Sequence, residues 1–162
     1  MTEEYDLPDP PDDVTVEPAI PDDRLDVLRI LDAAMLETDA DAVDDRIAAG
    51  DALVARSTRT GGVVGALVAV RPDPDRLHVD AVAVRRARRG RGIGSALVAG
   101  AVGRARSDPA VDAVTARFDA DLRAFYEGLG FTIRPAGAGS DAADQSPDRL
   151  DGTLSVGGRD SA

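Results

Sequence analysis

The stretch Val82–Leu97 carries the residue types most able to do chemistry. An apolar run, Val82-Ala83-Val84, leads into a turn with five arginines (Arg85, Arg86, Arg88, Arg89, Arg91) and three glycines (Gly90, Gly92, Gly94). From Gly92 the apolar residues Ile93, Leu97, Val98, Ala101 and Val102 then follow a helical period. A strand, a glycine-rich turn and a helix start form a cradle for phosphate. The first N–H groups of a helix have no intrahelical partner and lie at the positive end of its dipole. Glycine admits the left-handed backbone and lets an anion come close to it. Upstream on the same strand stand His78 and Asp80, which share their parity with Val82 and Val84 and so are expected on the same side. Downstream stands Tyr126, whose phenol can donate or accept a hydrogen bond, or can simply close the core at the end of its helix.

Phosphate turns differ in spacing. A P-loop needs Gly-Lys before Ser or Thr, and the chain has no lysine. A dinucleotide fingerprint needs Gly-x-Gly-x-x-Gly at the start of a βαβ unit, whereas Gly90, Gly92 and Gly94 are spaced by two in mid-chain. A nucleic-acid patch is the other reading of the arginines. The balance of 30 acids against 19 basic residues, a net charge of -11, argues against it and for a small anionic ligand.

The elements that must position this turn follow from hydrophobic period and punctuation. Residues 1–12 are rich in Asp and Pro and read as a disordered arm. Val14–Glu17 is a short strand. Pro21-Asp22-Asp23 opens a helix through Leu36, and Thr38-Asp39 caps a second helix that Gly50 stops. Ala52–Arg56, Val63–Val70 and Leu77–Val84 are strands, the second apolar enough to be covered on both faces. Arg71–Arg76 reads as a tight connection. The helix from Gly92 ends near Ser107 at Asp108-Pro109. Val111–Phe118 is a strand, Asp121–Gly128 a short helix, and Leu129–Ile133 leads into another strand. Residues 134–149 read as a loop, Leu150–Val156 as a last strand, and residues 158–162 as a disordered tail. The order is α/β with a mixed sheet, and the one crossover helix requires its flanking strands to be parallel.

Composition sets outer bounds. The 162 residues suit one domain. Aromatic residues are 3% of the chain, so the core is aliphatic. With no cysteine and one histidine, thiolate catalysis and multi-His zinc sites are excluded, and no metal is expected. The acidic start lacks a signal-peptide pattern, and a cytoplasmic location away from membranes is expected. All 19 basic residues are arginine and 25 of the acids are aspartate, which resembles proteins of salt-in halophiles.

The segment Arg89-Gly90-Arg91-Gly92-Ile93-Gly94 resembles the acetyl-CoA motif of the GCN5-related N-acetyltransferase superfamily. Ala116–Phe131, with Phe125-Tyr126 and Gly130-Phe131, is similar to that family's second motif. The resemblance spans roughly residues 13–156. It implies a GNAT-type fold, with a central mixed sheet of six to seven strands flanked by about four helices, as one domain over 13–157. It implies that the amides of Arg89, Gly90, Arg91, Gly92, Ile93, Gly94 and Ser95 hold the CoA pyrophosphate. It implies that the backbone at Val82 and Val84 pairs with the pantetheine arm, Val84 also polarising the thioester carbonyl, and that Phe125 belongs to the cofactor site. Tyr126 would protonate the leaving thiolate. Asp80, directly or through water, is the candidate acceptor of the ammonium proton. Asp119 stands where the family often has asparagine, and a carboxylate there can only accept. Glu37 and Asp39 lie where the first helical hairpin closes acceptor sites in the family. The expected function is acetyl transfer from acetyl-CoA to a primary amine in a ternary complex, by a monomer or homodimer that takes no nucleic acid. A CoA-binding sensor module without transferase activity is the alternative.

Overall fold

The computed structural model describes residues 11–33, 39–135 and 149–156. Residues 1–10 of the arm expected over 1–12, the positions of Glu37 and Thr38, the interior of the 134–149 loop and the tail lie outside the described residues.

Among the described residues, seven strands form one sheet: β1 (Val14–Pro18), β2 (Ala52–Ser57), β3 (Val63–Asp73), β4 (Arg76–Val84), β5 (Ala113–Asp119), β6 (Thr132–Pro135) and β7 (Arg149–Ser155). Their spatial order is β1-β2-β3-β4-β5-β7-β6. Neighbours are antiparallel except β4 and β5, which run parallel. Four α-helices among the described residues flank the sheet: α1 (Arg24–Ala33), α2 (Ala40–Ala49), α3 (Ile93–Ser107) and α4 (Arg123–Gly128). Helix α3 is the β4-to-β5 crossover, and such a connection requires a parallel pair. The mixed sheet and helix count meet the expected fold class. Among the described residues no helix is long and apolar enough to cross a membrane.

The sheet is packed on both faces at β2, β3 and β4. Helices α1 and α2 cover one side, where Val27, Leu31, Val43 and Ile47 meet Val54, Ala66 and Val68. Helix α3 covers the other, where Ile93, Leu97, Val98 and Val102 meet Leu53, Leu67, Leu77 and Val114. Closeness of α3 to the sheet depends on two glycines. A Cβ on Gly65 would stand 3.1 Å from both Ile93 Cγ2 and Leu97 Cδ1, and one on Gly100 would stand 3.0 Å from Val16 Cγ1. Gly50 ends α2 in the left-handed conformation at φ 81° as read from the sequence.

Polar anchors tie helices to strands. Asp51, with a side chain 1% exposed, accepts from Arg71 Nε at 3.1 Å and Nη2 at 3.2 Å. Arg71 also donates to Asp108 beyond the end of α3 at 2.9 Å. Asp23, just before α1, accepts from the Ile20 N–H at 3.0 Å and from Arg56 of β2 at 2.8 Å.

Two expectations are corrected. Strand β3 runs through Arg71 and Pro72 to Asp73 rather than ending at Val70. Its register with β4 is irregular there, which is where a strand tolerates a residue without an N–H. The second correction concerns parity along β4. Val68 pairs with Ala81 and Ala69 with Val79, so Asp80 is the extra residue of a β-bulge. A bulge exchanges the two faces. Leu77 and Val79 join the α3 side, Ala81 and Ala83 join the α1/α2 side, and Val82 and Val84 return to the α3 side. His78 therefore lies on the face opposite the side chains of Val82 and Val84.

Candidate functional site

The bulge stands where the sheet opens. Strands β4 and β5 are paired only from Arg76–Val79 with Ala113–Ala116. Beyond that point β4 stays with β3 as far as Val84, and β5 stays with β7 as far as Asp119. A wedge opens between them, lined by Asp80, Val82, Arg117, Phe118, Asp119, Leu122, Tyr126 and Arg149 around a cavity of about 210 Å³.

The wedge exposes unpaired backbone. The Arg85 N–H donates to the Val64 carbonyl at 2.8 Å, which makes that position a hydrogen-bonded pair of the β3–β4 ladder. Antiparallel pairs alternate, so the main-chain groups of Val82 and Val84 point away from β3, to the side that β5 has left. Arg89 Nε donates to the Val84 carbonyl at 3.1 Å, as this orientation allows. The strand therefore offers a short row of N–H and C=O groups to anything that enters the wedge.

The chain then makes the arginine-glycine turn. Arg85 Nε is fixed on the Val63 carbonyl at 3.1 Å, and one 3-10 turn covers Arg86–Arg88. Gly90 and Gly92 adopt φ of 78° and 86°, the left-handed region that side chains disfavour. A Cβ at either would meet no atom within 4 Å, so conformation rather than space selects glycine there. Helix α3 begins at Ile93, and its first ladder bond is Ala96 N–H to Gly92 O at 3.0 Å. The N–H groups of Ile93, Gly94 and Ser95 precede that bond, and no acid stands in the first turn. These residues, with Val82, Val84, Arg88, Arg89, Leu122 and Phe125, line a second cavity of about 500 Å³. Val82 and Leu122 line both cavities, so wedge and turn are continuous. Arg86 and Arg91 are exposed and have no ion-pair partner among the described residues.

Tyr126 of α4 closes the wedge from the α3 side. Its ring stacks on Phe118 at 4.0 Å and meets Phe125 and Phe131 edge-on at 4.9 and 5.3 Å. The residue is 2% exposed, and burial pushes its phenol up to about 12. Among the described residues its hydroxyl has no hydrogen-bond partner. Asp80, on the opposite wall, is exposed. Asp119 at the end of β5 lies 3.6 Å from Arg149 across the β5–β7 ladder.

The structure thus brings Asp80, Val82, Val84, Asp119, Phe125, Tyr126, Arg89, Gly90 and residues 92–95 around one continuous cleft, with Arg91 on the same turn but outside its lining. It leaves His78 out. The Nδ1 of His78 is 2.8 Å from Thr115 Oγ1, and burial lowers its pKa, with Arg76 and Arg117 pushing the same way against Asp80 and Asp151. Asp39 is the exposed residue before α2 and lines neither cavity. Sequence reasoning missed Arg117, Leu122 and Arg149 as wedge residues. The alternation of β5 signals Arg117, as an arginine on the row opposite Ala116 and Phe118.

Comparison with known proteins places this cleft in a context. The model of the acetyltransferase (GNAT) family matches residues 24–131. No curated protein matches the chain. Among solved structures, Ard1 from Thermoplasma volcanium is 21% identical, with a TM-score of 0.72 over 89% of this chain and 98% of that one. A GNAT superfamily phosphinothricin acetyltransferase from Sinorhizobium meliloti, in complex with acetyl-CoA, is 18% identical, with a TM-score of 0.73 over 93% and 92%. The protein yncA from Salmonella typhimurium, solved with its cofactor acetyl-CoA, is 20% identical, with a TM-score of 0.67 over 90% and 95%. At these identities the likeness is one of fold.

Proposed function

The chain belongs to the acetyltransferase (GNAT) family, and from that premise we propose that it transfers an acetyl group from acetyl-CoA directly to a primary amine held in the same cleft. The observation that carries this reading is the continuity of an unpaired strand edge at Val82 and Val84 with a left-handed glycine turn at the start of α3. An amide-bearing arm fits the first, and a diphosphate fits the second. Acetyl-CoA supplies the acetyl group activated as a thioester. The solved relatives from S. meliloti and S. typhimurium hold acetyl-CoA, which supports the same ligand here.

Each wall has a separate task in this reading. The amides from Arg89 to Ser95 and the side chains of Arg86 and Arg91 neutralise phosphate charge. The Val82 and Val84 main chain holds the arm, and the Val84 N–H donates to the thioester carbonyl oxygen as negative charge builds on it. Asp80 takes one proton from the incoming ammonium, whose ordinary pKa near 10 leaves it charged at neutral pH. The free amine attacks the carbonyl carbon. The C–S bond breaks, the nitrogen gives up its second proton, and the amide forms.

Tyr126 calls for a refinement of the expected role. A phenol at about 12 stays protonated throughout, so it is always a donor. A thiol of ordinary pKa about 8.5 leaves a thiolate that is the weaker base, so full transfer of the phenol proton to it is uphill. Tyr126 therefore serves as a hydrogen-bond donor to the departing sulfur, and the proton that sulfur finally carries comes from the amine or solvent. Calorimetric titration with acetyl-CoA, combined with a CoA-release assay over an amine panel, tests the proposal. Turnover that Asp80→Asn cuts about 100-fold, with acetyl-CoA affinity kept, is the expected result. Binding without turnover on any amine identifies a sensor module, and no binding at all ends the reading.

A further inference from the structure

On the α1/α2 side of the sheet the two helices pack on β2, β3 and β4. The rows of β5, β7 and β6 on that side line a third cavity, of about 540 Å³. Cross-strand register builds its floor. His78 stands opposite Thr115, and Asp151 stands opposite both Arg117 and Arg134. Arg76, Arg117 and Arg134 bring three positive charges to this lining against one carboxylate, Asp151. In a chain of net charge -11 that is a local reversal of sign. Arg117 is paired with Asp151 at 2.9 Å, and Arg76 with the exposed Asp73 at 3.0 Å. Arg76 still has a buried Nε–H with no acceptor, and Arg134 has no ion-pair partner among the described residues. A buried donor of this kind is unfavourable until an acceptor reaches it.

The cavity adjoins the site of transfer. Arg117 lines both it and the wedge that holds Asp80 and Tyr126. At about 3.3 Å per residue, His78 lies roughly 7 Å from Asp80 and 13 Å from Val82 along β4. We propose that this cavity seats a carboxylate at the far end of the amine acceptor, so that the substrate is cationic where it reacts and anionic where it is held. Asp80 meets the ammonium end, and the Arg76 and Arg134 guanidinium groups meet the carboxylate end. The proposal rests on the transferase reading for the identity of the guest, and on the lining alone for its charge.

His78 gives a direct readout, because it is the chain's one histidine and lines the cavity. Its ring Cε1 proton is followed by NMR while the full-length protein is titrated with sodium glutarate, with sodium chloride at matched ionic strength as control. A saturable shift with glutarate alone, together with a rise in the His78 midpoint, is expected. Arg134→Gln, on the edge strand, weakens it at least about fivefold, and Arg76→Gln does the same. In the CoA-release assay, ω-aminohexanoate exceeds hexane diamine by about tenfold in kcat/KM, and Arg134→Gln erases that preference with acetyl-CoA affinity unchanged. Equal shifts with glutarate and chloride overturn the proposal, as does a diamine used as well as the amino acid. Glutarate binding without acetylation of any amine overturns the transferase reading instead, and leaves the anion seat standing.

Discussion

Replacing Tyr126 with phenylalanine separates chemistry from packing. The ring stacks on Phe118 at 4.0 Å and is met edge-on by Phe125 and Phe131, and phenylalanine keeps all three contacts. The hydroxyl has no partner among the described residues, so its removal changes stability at pH 7 by no more than about 1 kcal/mol. Its loss in the transition state is larger. A hydrogen bond to a charged sulfur is worth about 1.5–3 kcal/mol, so kcat falls about 10- to 100-fold while the KM for acetyl-CoA holds. Stability at high pH supplies a second readout. Folding raises this phenol from 10.0 to about 12. Below pH 10 both states are neutral and the contribution is fully present. Above pH 10 the unfolded state sheds its proton first, so the wild type loses about 1.4 kcal/mol per pH unit, up to about 2.7 kcal/mol by pH 12. Tyr126→Phe lacks this slope. Denaturant titrations of both proteins at pH 9, 10 and 11, beside CoA-release kinetics at pH 8, decide the matter. A kcat within threefold of wild type refutes the donor role. Parallel stability curves above pH 10 refute the buried phenol.

Other perturbations test the scaffold. Asp51→Ala leaves Arg71 and Arg104 facing an empty position behind the end of α3, and costs about 3 kcal/mol, or roughly 6–12 °C in Tm by calorimetry. Gly65→Ala drives a Cβ to 3.1 Å from Ile93 and Leu97 and 3.3 Å from the Ala83 carbonyl, which pushes α3 off the sheet. It lowers stability by about 1–3 kcal/mol and raises the KM for acetyl-CoA, because the anion turn moves with the helix. Gly92→Ala strains a residue at φ 86° by about 1–2 kcal/mol and weakens acetyl-CoA binding in calorimetry, whereas Gly94→Ala, whose Cβ meets Phe125 at 3.8 Å, is close to neutral. His78 titrates below the ordinary 6.5 because it is buried, so its NMR midpoint is depressed. The unfolded chain then binds the proton more readily, and stability falls as pH drops below about 6.5.

Much of this could be read along the chain because local signals agreed with the fold. Gly50 and Asp108 mark helix ends as expected, and the crossover through α3 makes β4 and β5 parallel. The turn at Arg89–Gly94 announces itself by glycine spacing. The bulge at Asp80 does not. Leu77, Val79, Ala81 and Ala83 alternate through it without a break, because both faces of β4 are covered and each face accepts an apolar residue. Parity therefore misplaces His78, and only the register of Val68 and Ala69 against β4 exposes the switch. Strand β3 hides its end for a related reason, since Pro72 reads as a break yet sits at an irregularity that needs no N–H. The wedge itself is a matter of long-range pairing. Nothing in Arg117–Asp119 says that β5 turns its hydrogen bonds only toward β7.

That wedge has a bearing on how the protein avoids its own copies. Unpaired strand edges are templates for aggregation, and most proteins keep them at the rim of a sheet, blunted by charge or bulges. Here two such edges face each other inside the sheet, with a bulge at the apex on Asp80 and a guanidinium from Arg89 on the Val84 carbonyl. An invading strand needs about 4.8 Å on each side, and the gap starts from full closure at Val79 and Ala116. A gap that starts from closure is narrower than a strand beside its apex, so an incoming sheet meets a taper there rather than an open rim. Width, as well as charge, guards this stretch of unpaired backbone.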